Sequence, residues 1–399
     1  MQNRNSGPRT LEPSIPTAFP FAARPVIAVL PLVEQDDECL QGRLGSWLAD
    51  DLIHHLSRFR QFAVMARQSS FFAGPDSARV LRADFLVRGS VRMVGAACEL
   101  EVMLVQAAGD EVVWRKVYRQ APIEPVEIED ELAQAIATEL AVEIGSIDPM
   151  HPAPQPFRRL AEAAALVQRI ERDAKDRARQ IATGLRDDEF HAARAHAILA
   201  RSHHLDWRYR WSDDPENARK LAAAHAELAV QIDPMDATAQ AEMAIDLLFR
   251  REHDAAISTY RRALELNPND CSILAEFGGC LAHSGDPASA VELLQLALSL
   301  DPRRADHYRW LLSGAVDDMG DPETAVCIIE QMSAPREAAR QLASCLGRLG
   351  QKQAAAAAAE RVLARHPRFT IDHWRTIVPT RDPAVREPFF EGLALAGLR

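Results

Sequence analysis

The stretch PNDCSILAEFGGCLAHSGDPASAVELLQLALSLDP, residues 268–302, decides the fold that this sequence predicts. A proline stands at each end, and Gly285 divides the stretch into two halves of helical length. The first half places the large Phe277 beside the small Gly278, and the second half has the small Ala290 near its start. A small residue lets two helices approach closely, while a large one fills the space between neighbouring units. The stretch therefore predicts one helix–turn–helix unit that packs against further units.

This unit recurs along the second half of the chain. Prolines stand at nearly equal steps, of which the last two are slightly shorter, at Pro234, Pro268, Pro302, Pro335 and Pro367. A period of about 34 residues with a closing proline is typical of tetratricopeptide repeats. One repeat cannot bury its apolar face alone, so several must stack into a superhelix with an open concave groove. The alternative is an ordinary helical bundle whose prolines are spaced by chance.

The repeat that begins at Ala305 departs from this pattern. Gly320 lies one residue late relative to Gly285, and Pro335 ends the second helix early. We therefore expect a local distortion in this repeat. Gly285, Gly320 and Gly350 are each predicted to mark a turn between two helices, where a positive φ is often needed.

The chain before residue 157 has a different pattern. Runs of β-branched and apolar residues indicate strands, and short gaps with glycine between the last three runs suit hairpins. The sequence predicts strands at residues 26–32, 62–66, 85–94, 98–106 and 111–119 and amphipathic helices at residues 44–59 and 126–144. This order predicts a mixed sheet with helices on one side. The predicted fold is a small α/β mixed-sheet domain followed by an all-α superhelix of tetratricopeptide type.

Proline-rich segments mark the predicted domain boundaries. Residues 1–24 are polar and proline-rich, so we expect a disordered tail. Residues 149–156 carry four prolines, a density that does not sustain a helix, and form the predicted linker. The α/β domain is then predicted at residues 25–148 and the helical repeats at residues 157–399.

Several segments resemble a known family. VIAVLPL (residues 26–32) and SRFRQFAVMARQSSF (residues 57–71) resemble the TolB-like amino-terminal domain of bacterial regulatory proteins. In that family the domain is commonly followed by tetratricopeptide repeats and is often fused behind an adenylate/guanylate cyclase or winged-helix domain. Other segments that look like the family are WSDDPENA (211–218), REHDAAI (251–257), RALELNPND (262–270) and GLALAGLR (392–399).

The chain also departs from this family. Ser46 and Trp47 stand where the first helix of the family typically opens with an Asp-Gly pair, and the loop after Phe72 is shortened. Only 24 residues precede the α/β domain, so we expect no fused cyclase or DNA-binding domain. The resemblance then implies a regulatory subunit that acts in trans with a cyclase or a DNA-binding transcription regulator.

Charge and motif content argue against several functions. The formal net charge of −11 repels phosphate, so direct binding of nucleic acid is not expected. The sequence has no signal-peptide h-region and no apolar run long enough to span a membrane, which predicts a cytoplasmic protein. HExxH, Walker A, GxSxG and GxGxxG motifs are absent from the sequence. We therefore expect no enzyme activity, cofactor or metal, and we disfavour an adenylate cyclase.

The concave face of the repeats is the first candidate site. Superhelices of this kind offer such a groove to an extended segment of a partner protein or peptide, and a cluster of arginines can hold an acidic motif. A solvated face is the equally weighted alternative. The inward-pointing residues proposed for the groove are Phe249, His283, Arg309, Arg340 and Arg348.

A second candidate site lies in the α/β domain. Arginine and serine side chains at residues 58–70 could contact an anion. The alternative is structural, with the arginines paired to carboxylates and the serines satisfying a loop. The residues of this candidate anion contact are Arg58, Arg60, Arg67, Ser69 and Ser70.

These observations favour a protein-interaction or regulatory scaffold. The repeats would bind a partner protein, and the α/β domain would add a second contact or a sensing surface. The partner, the signal and the oligomeric state do not follow from the sequence.

Overall fold

The computed structural model describes residues 25–35, 44–59, 62–65, 70–71, 83–94, 97–120, 125–146, 155–268, 270–300 and 304–399. The predicted tail and most of the predicted linker lie outside these residues. The boundaries between the four predicted segments stay predictions. The first helix of the repeat region begins at Gln155, inside the predicted linker.

The amino-terminal domain contains one mixed β-sheet. Its elements are β1 (Val26–Val29), β2 (Val33–Glu34), α1 (Leu44–Ser57), β3 (Ala63–Val64), β4 (Phe85–Val94), β5 (Ala97–Gln106), β6 (Glu111–Gln120) and α2 (Pro125–Ser146). The strand order is β3-β1-β4-β5-β6, with β2 beside β4. β1 runs parallel to β3 and β4, whereas β4, β5 and β6 form antiparallel hairpins. The predicted mixed sheet is confirmed.

Both helices of this domain cover the same face of the sheet. Leu52 of α1 and Leu140 of α2 are fully buried in one apolar cluster with Val87 and Leu104 of the sheet. The i, i+4 spacing of the apolar residues Leu48, Leu52 and Leu56 produces this one-sided helix, because such residues share a face. A smaller cluster around Leu86 lies on the opposite face.

The remainder of the chain is a helical array. Its helices are α3 (Gln155–Val167), α4 (Arg172–Thr183), α5 (Ala192–Arg208), α6 (Pro215–Ile232), α7 (Ala237–Phe249), α8 (His253–Leu266), α9 (Cys271–Ser284), α10 (Pro287–Leu300), α11 (Ala305–Asp318), α12 (Pro322–Glu330), α13 (Ala339–Arg348), α14 (Lys352–Arg365), α15 (Ile371–Ile377) and α16 (Pro383–Leu395). Successive helices pack against each other in pairs. The architecture is therefore the predicted small α/β domain followed by an all-α superhelix of tetratricopeptide type.

The small residues of the repeat have the predicted role. A Cβ on Gly278 would lie 2.8 Å from Leu294 Cγ, so α9 and α10 approach too closely for any larger residue. Gly285, Gly320 and Gly350 have φ values of 97°, 87° and 72°, which confirms the predicted left-handed turns. The expected distortion is also present, because α12 has only 9 residues where α10 has 14.

The two ends of the array meet, which the repeat pattern does not predict. Glu337, just before α13, accepts hydrogen bonds from Tyr209 Oη at 3.1 Å, Arg340 at 3.0 Å and Arg365 at 2.6 Å. One continuous apolar core contains residues of α3, α4 and α5 together with residues of α12 to α16. The superhelix therefore closes on itself instead of leaving an open groove along its whole length.

Candidate binding groove

The last two helices fill one half of the groove, which we call the closed half. Arg251 donates to the carbonyl oxygens of Thr380 and Val378, both at 3.2 Å. The backbone N–H of Arg381 donates to the carbonyl of His283 at 2.8 Å. These contacts hold the segment between α15 and α16 against the turn between α7 and α8 and against α9.

Three of the predicted groove residues, Phe249, His283 and Arg340, lie in the closed half. The ring of Phe249 packs edge-on against that of His204, with 4.4 Å between the centroids. The guanidinium of Arg208 lies over the Phe249 ring, 5.2 Å from its centroid. His283 Nδ1 lies 3.3 Å from Thr380 Oγ1. Burial lowers the pKa of His283 well below its usual value, so this imidazole is neutral at pH 7.

The three predicted arginines are already paired with carboxylates of the same chain. Arg340 is 5% exposed, bonds to Glu337 and stacks on Trp374 with 4.4 Å from guanidinium to ring centroid. Arg348 donates to Asp317. Arg309 lies 3.9 Å from Asp306, in a separate pocket near the turn after α12.

The structure therefore brings Phe249, His283 and Arg340 together and leaves Arg309 and Arg348 apart from them. Trp374 and Phe389 of the last two helices line the same cleft. Contact of these residues with a partner stays a prediction, and in this structure it would require α15 and α16 to move away.

The other half of the groove is open and forms a cavity of about 600 Å³, which we call the acidic cavity. Apolar side chains such as Leu160 of α3, Ile198 of α5 and Ile273 of α9 line it. The lining residues that the structure describes also include two arginines, Arg194 and Arg201. Its six carboxylic residues are Glu189, Asp233, Asp236, Glu242, Asp270 and Glu276.

Two successive repeats build one wall of the acidic cavity from equivalent positions. Asp270 follows Asp236 by one repeat, and each caps the first turn of its helix through backbone N–H groups. Glu276 likewise follows Glu242 by one repeat in the same lining. Thr238 and Ser272 are a third pair with this spacing. The wall is therefore a repeated pattern of a capping aspartate, a hydroxyl and a glutamate.

The arginines of α5 are held by this wall. Arg201 donates to Glu242 at 3.0 Å and to Glu276 at 2.9 Å, and Arg194 donates to Asp236 at 2.8 Å. Burial opposes ionisation of Glu276, but the charge of Arg201 outweighs it and lowers the pKa of this carboxyl. Glu276 is therefore ionised at neutral pH, and the guanidinium of Arg201 is already engaged.

His191 adds an acceptor to the acidic cavity. It lines the cavity before α5 and is only 3% exposed. Its Nδ1 lies 2.7 Å from Asp188 Oδ1, and its Nε2 has no hydrogen-bond partner among the described residues. Because a carboxylate can only accept, Nδ1 carries a proton, and in the neutral form of the imidazole Nε2 then presents a lone pair.

The candidate anion contact lies partly outside the described residues, since Arg60, Arg67 and Ser69 fall in the gaps. Arg58 donates to the carbonyl of Glu265 at 2.7 Å, near the carboxyl end of α8. This contact joins the α/β domain to the repeats. The helix dipole favours a cation such as Arg58 near the carboxyl end of α8. Ser70 is fully buried. Anion binding here stays a prediction.

Sequence reasoning did not single out the residues of the acidic cavity. The signal was available, because aspartate, hydroxyl and glutamate positions recur with the repeat period in the sequence itself. The pairing of Arg201 with two repeats carried no such signal, because α5 precedes the regular repeats.

Two further properties concern only the part of the chain that the structure describes. There, histidine, cysteine and carboxylic residues form no group of three or more arranged to hold a metal ion. No helix in those ranges is sufficiently long and apolar to cross a membrane.

The described array belongs to the class of helical-repeat folds, and comparison with known proteins agrees. A tetratricopeptide repeat model matches residues 248–270. The putative adenylate cyclase 3 of Rhizobium meliloti (strain 1021) is 25% identical over 251 residues, covering 59% of this chain and 42% of that protein. The chain thus spans less than half the length of this curated relative. The TolB-like resemblance of the α/β domain stays a prediction.

Solved structures with related folds include a thermophilic tetratricopeptide repeat protein of Thermus thermophilus, at 15% identity and a TM-score of 0.33, over 48% of this chain and 93% of that one. PilF of Pseudomonas aeruginosa is similar at 15% identity and a TM-score of 0.35, over 55% of this chain and 95% of that one. The Cut9–Hcn1 hetero-tetramer of the APC/C is similar at 17% identity and a TM-score of 0.43, over 68% of this chain and 54% of that one. The fold assignment depends on the helix pairs themselves and not on these likenesses.

Proposed function

We propose that this chain is a non-enzymatic protein-interaction scaffold that works in the cytoplasm and binds a partner protein through the acidic cavity. One observation carries the proposal. The first helices of successive repeats leave an open cavity of about 600 Å³, while α15 and α16 fill the rest of the concave face. A cavity of this size with an apolar floor and a few polar groups is typical of a binding site.

Site-specific photo-crosslinking in an extract of the native host tests this proposal. A photoreactive amino acid replaces Thr238, which lines the acidic cavity, and in a matched variant it replaces Ser258, which is exposed on α8. We expect the same partner protein to be captured reproducibly from position 238 and not from position 258. Capture that is equal at both positions, or no reproducible capture, contradicts the proposal.

A second candidate function is a regulatory subunit that acts in trans on a nucleotide cyclase. The curated relative named a putative adenylate cyclase favours it, since this chain matches 42% of that protein. The test adds the purified chain to a separately expressed cyclase domain from the same host. A change in cyclase rate that the Thr238→Arg variant loses supports this function, and an unchanged rate contradicts it.

A further inference from the structure

We propose that the acidic cavity takes an arginine side chain from an extended segment of the partner protein. This inference depends on the proposed function and names the chemistry of the partner at the same site. It differs from the sequence-based expectation of an acidic motif held by arginines.

Charge is the first argument. The described lining holds three carboxylic residues for every arginine, and both arginines are already bonded to carboxylates of the chain. An acidic segment would meet like charge there, whereas a cation would meet opposite charge in a partly desolvated site.

The orphaned acceptor on His191 is the second, independent argument. The residue is almost fully buried, and Asp188 fixes the proton on Nδ1. Nε2 has no hydrogen-bond partner among the described residues, and in the neutral form of the imidazole it presents a lone pair to the cavity. A buried acceptor without a partner costs free energy, so a ligand that brings an N–H donor relieves that cost.

Shape favours arginine over a small cation. The guanidinium has five N–H donors in a fixed fork, which suits several acceptors on different helices. Its methylene stem can lie along the apolar floor formed by Leu160, Ile198 and Ile273. Lysine would supply the charge but not the fork.

Fluorescence anisotropy with labelled pentapeptides tests this inference on the full chain. The probe is Ala-Arg-Ala-Arg-Ala, and its counterparts carry lysine, neutral citrulline or glutamate in place of both arginines. We expect the arginine probe to bind about tenfold or more tightly than the citrulline probe, the ratio expected for hydrogen bonds to a charged group. The glutamate probe should bind least.

Two variants with the same charge change locate the binding. Thr238→Arg places a guanidinium inside the acidic cavity, and Ser258→Arg places one on exposed α8. We expect Thr238→Arg to abolish binding of the arginine probe and Ser258→Arg to leave it unchanged. His191→Phe keeps a planar aromatic ring and removes the acceptor, so it should weaken binding about tenfold.

The outcomes separate this inference from the proposed function. Equal binding of the arginine and citrulline probes, tighter binding of the glutamate probe, or unchanged binding in Thr238→Arg overturns the inference. If the photoreactive amino acid at position 238 still captures a partner protein, the scaffold function stands, but the partner does not bind through an arginine side chain. If position 238 captures nothing and no probe binds, both fail.

Discussion

Glu242 and Glu276 occupy equivalent positions of successive repeats and bind one guanidinium, that of Arg201, at 3.0 and 2.9 Å. The acidic cavity thus has a wall whose charge is set by the repeat itself. Arg201 ties α5 to the two regular repeats and leaves the remaining carboxylates of the lining in excess.

Removing this guanidinium should destabilise the array. Arg201→Met leaves the buried carboxylate of Glu242 and the part-buried carboxylate of Glu276 without their partner, and we expect a loss of about 3–5 kcal/mol in the free energy of unfolding. Urea denaturation followed by circular dichroism measures it. The matched control is Arg219→Met, which removes an exposed pair with Glu216 and should change stability little. Equal effects of the two substitutions would contradict the account of Arg201.

Closure of the array should depend on Glu337 and on pH. Burial opposes ionisation of Glu337, but His366 and Arg340 outweigh it and lower the pKa of this carboxyl well below its usual range. Its contribution to stability is therefore present above the unfolded pKa of about 4.3 and is lost as the pH falls toward the lower folded pKa.

The Glu337→Gln variant tests this dependence. We expect it to lose about 3 kcal/mol or more at neutral pH, because Arg340 and Arg365 lose their shared carboxylate. The difference from the wild type should shrink as the pH falls below about 4.3. Unfolding curves at several pH values measure this difference in the free energy of unfolding. A difference that stays constant into strong acid contradicts the prediction.

A histidine cluster should make stability sensitive to milder acid. His196 Nδ1 and His225 Nδ1 are 2.8 Å apart, and the rings of His203 and His225 stack at 5.6 Å. Burial, followed by nearby positive charges, lowers the pKa of His203 and of His225 to about 4. The unfolded chain therefore binds more protons, and stability should fall as the pH drops from about 6.5 toward the folded pKa.

The melting temperature as a function of pH measures this effect. His225→Gln removes the central ring of the cluster, so we expect a smaller decrease in melting temperature over the same range. A profile as steep as that of the wild type would show that the cluster is not responsible.

The contact between α13 and α16 requires glycine. A Cβ on Gly392 would lie 2.3 Å from the carbonyl oxygen of Ser344, and one on Gly347 would lie 2.4 Å from the carbonyl oxygen of Gly392. Gly392→Ala should therefore destabilise the chain by about 1–3 kcal/mol through overpacking.

Gly314 of α11 provides the matched control, because a Cβ there would meet no atom within 4 Å. Gly314→Ala should be neutral or stabilising by up to about 1 kcal/mol, since alanine favours the helix. Thermal unfolding of both variants measures the contrast. A stable Gly392→Ala variant would mean that α16 does not pack as described.

Much of the fold follows from local pattern. The alternation and turn residues of 85–119 predicted the three long strands to within one residue at each end. The proline period predicted the helix pairs, and the glycines predicted their turns. These features depend on residues close in sequence, where pattern and structure are directly coupled.

Closure of the array did not follow from the sequence. Tyr209 and Glu337 are 128 residues apart, and Tyr209 lies before the regular repeats, so the repeat period does not predict their contact. Whether Arg340 faces a partner or its own chain depends on where α15 and α16 pack, and the repeat period contains no information on that contact. The predicted groove residues were therefore named without the helices that pack over Phe249, His283 and Arg340 in the structure.

Mapping where an arginine peptide touches the full chain tests the central claim most directly. A benzophenone-bearing form of the arginine pentapeptide is crosslinked to the wild-type protein, and the modified residues are identified by mass spectrometry. The account predicts modification on α5, α7 and α9 around Thr238 and Ser272. Modification around His283 and Trp374, or on the outer helices α8 and α10, would contradict it.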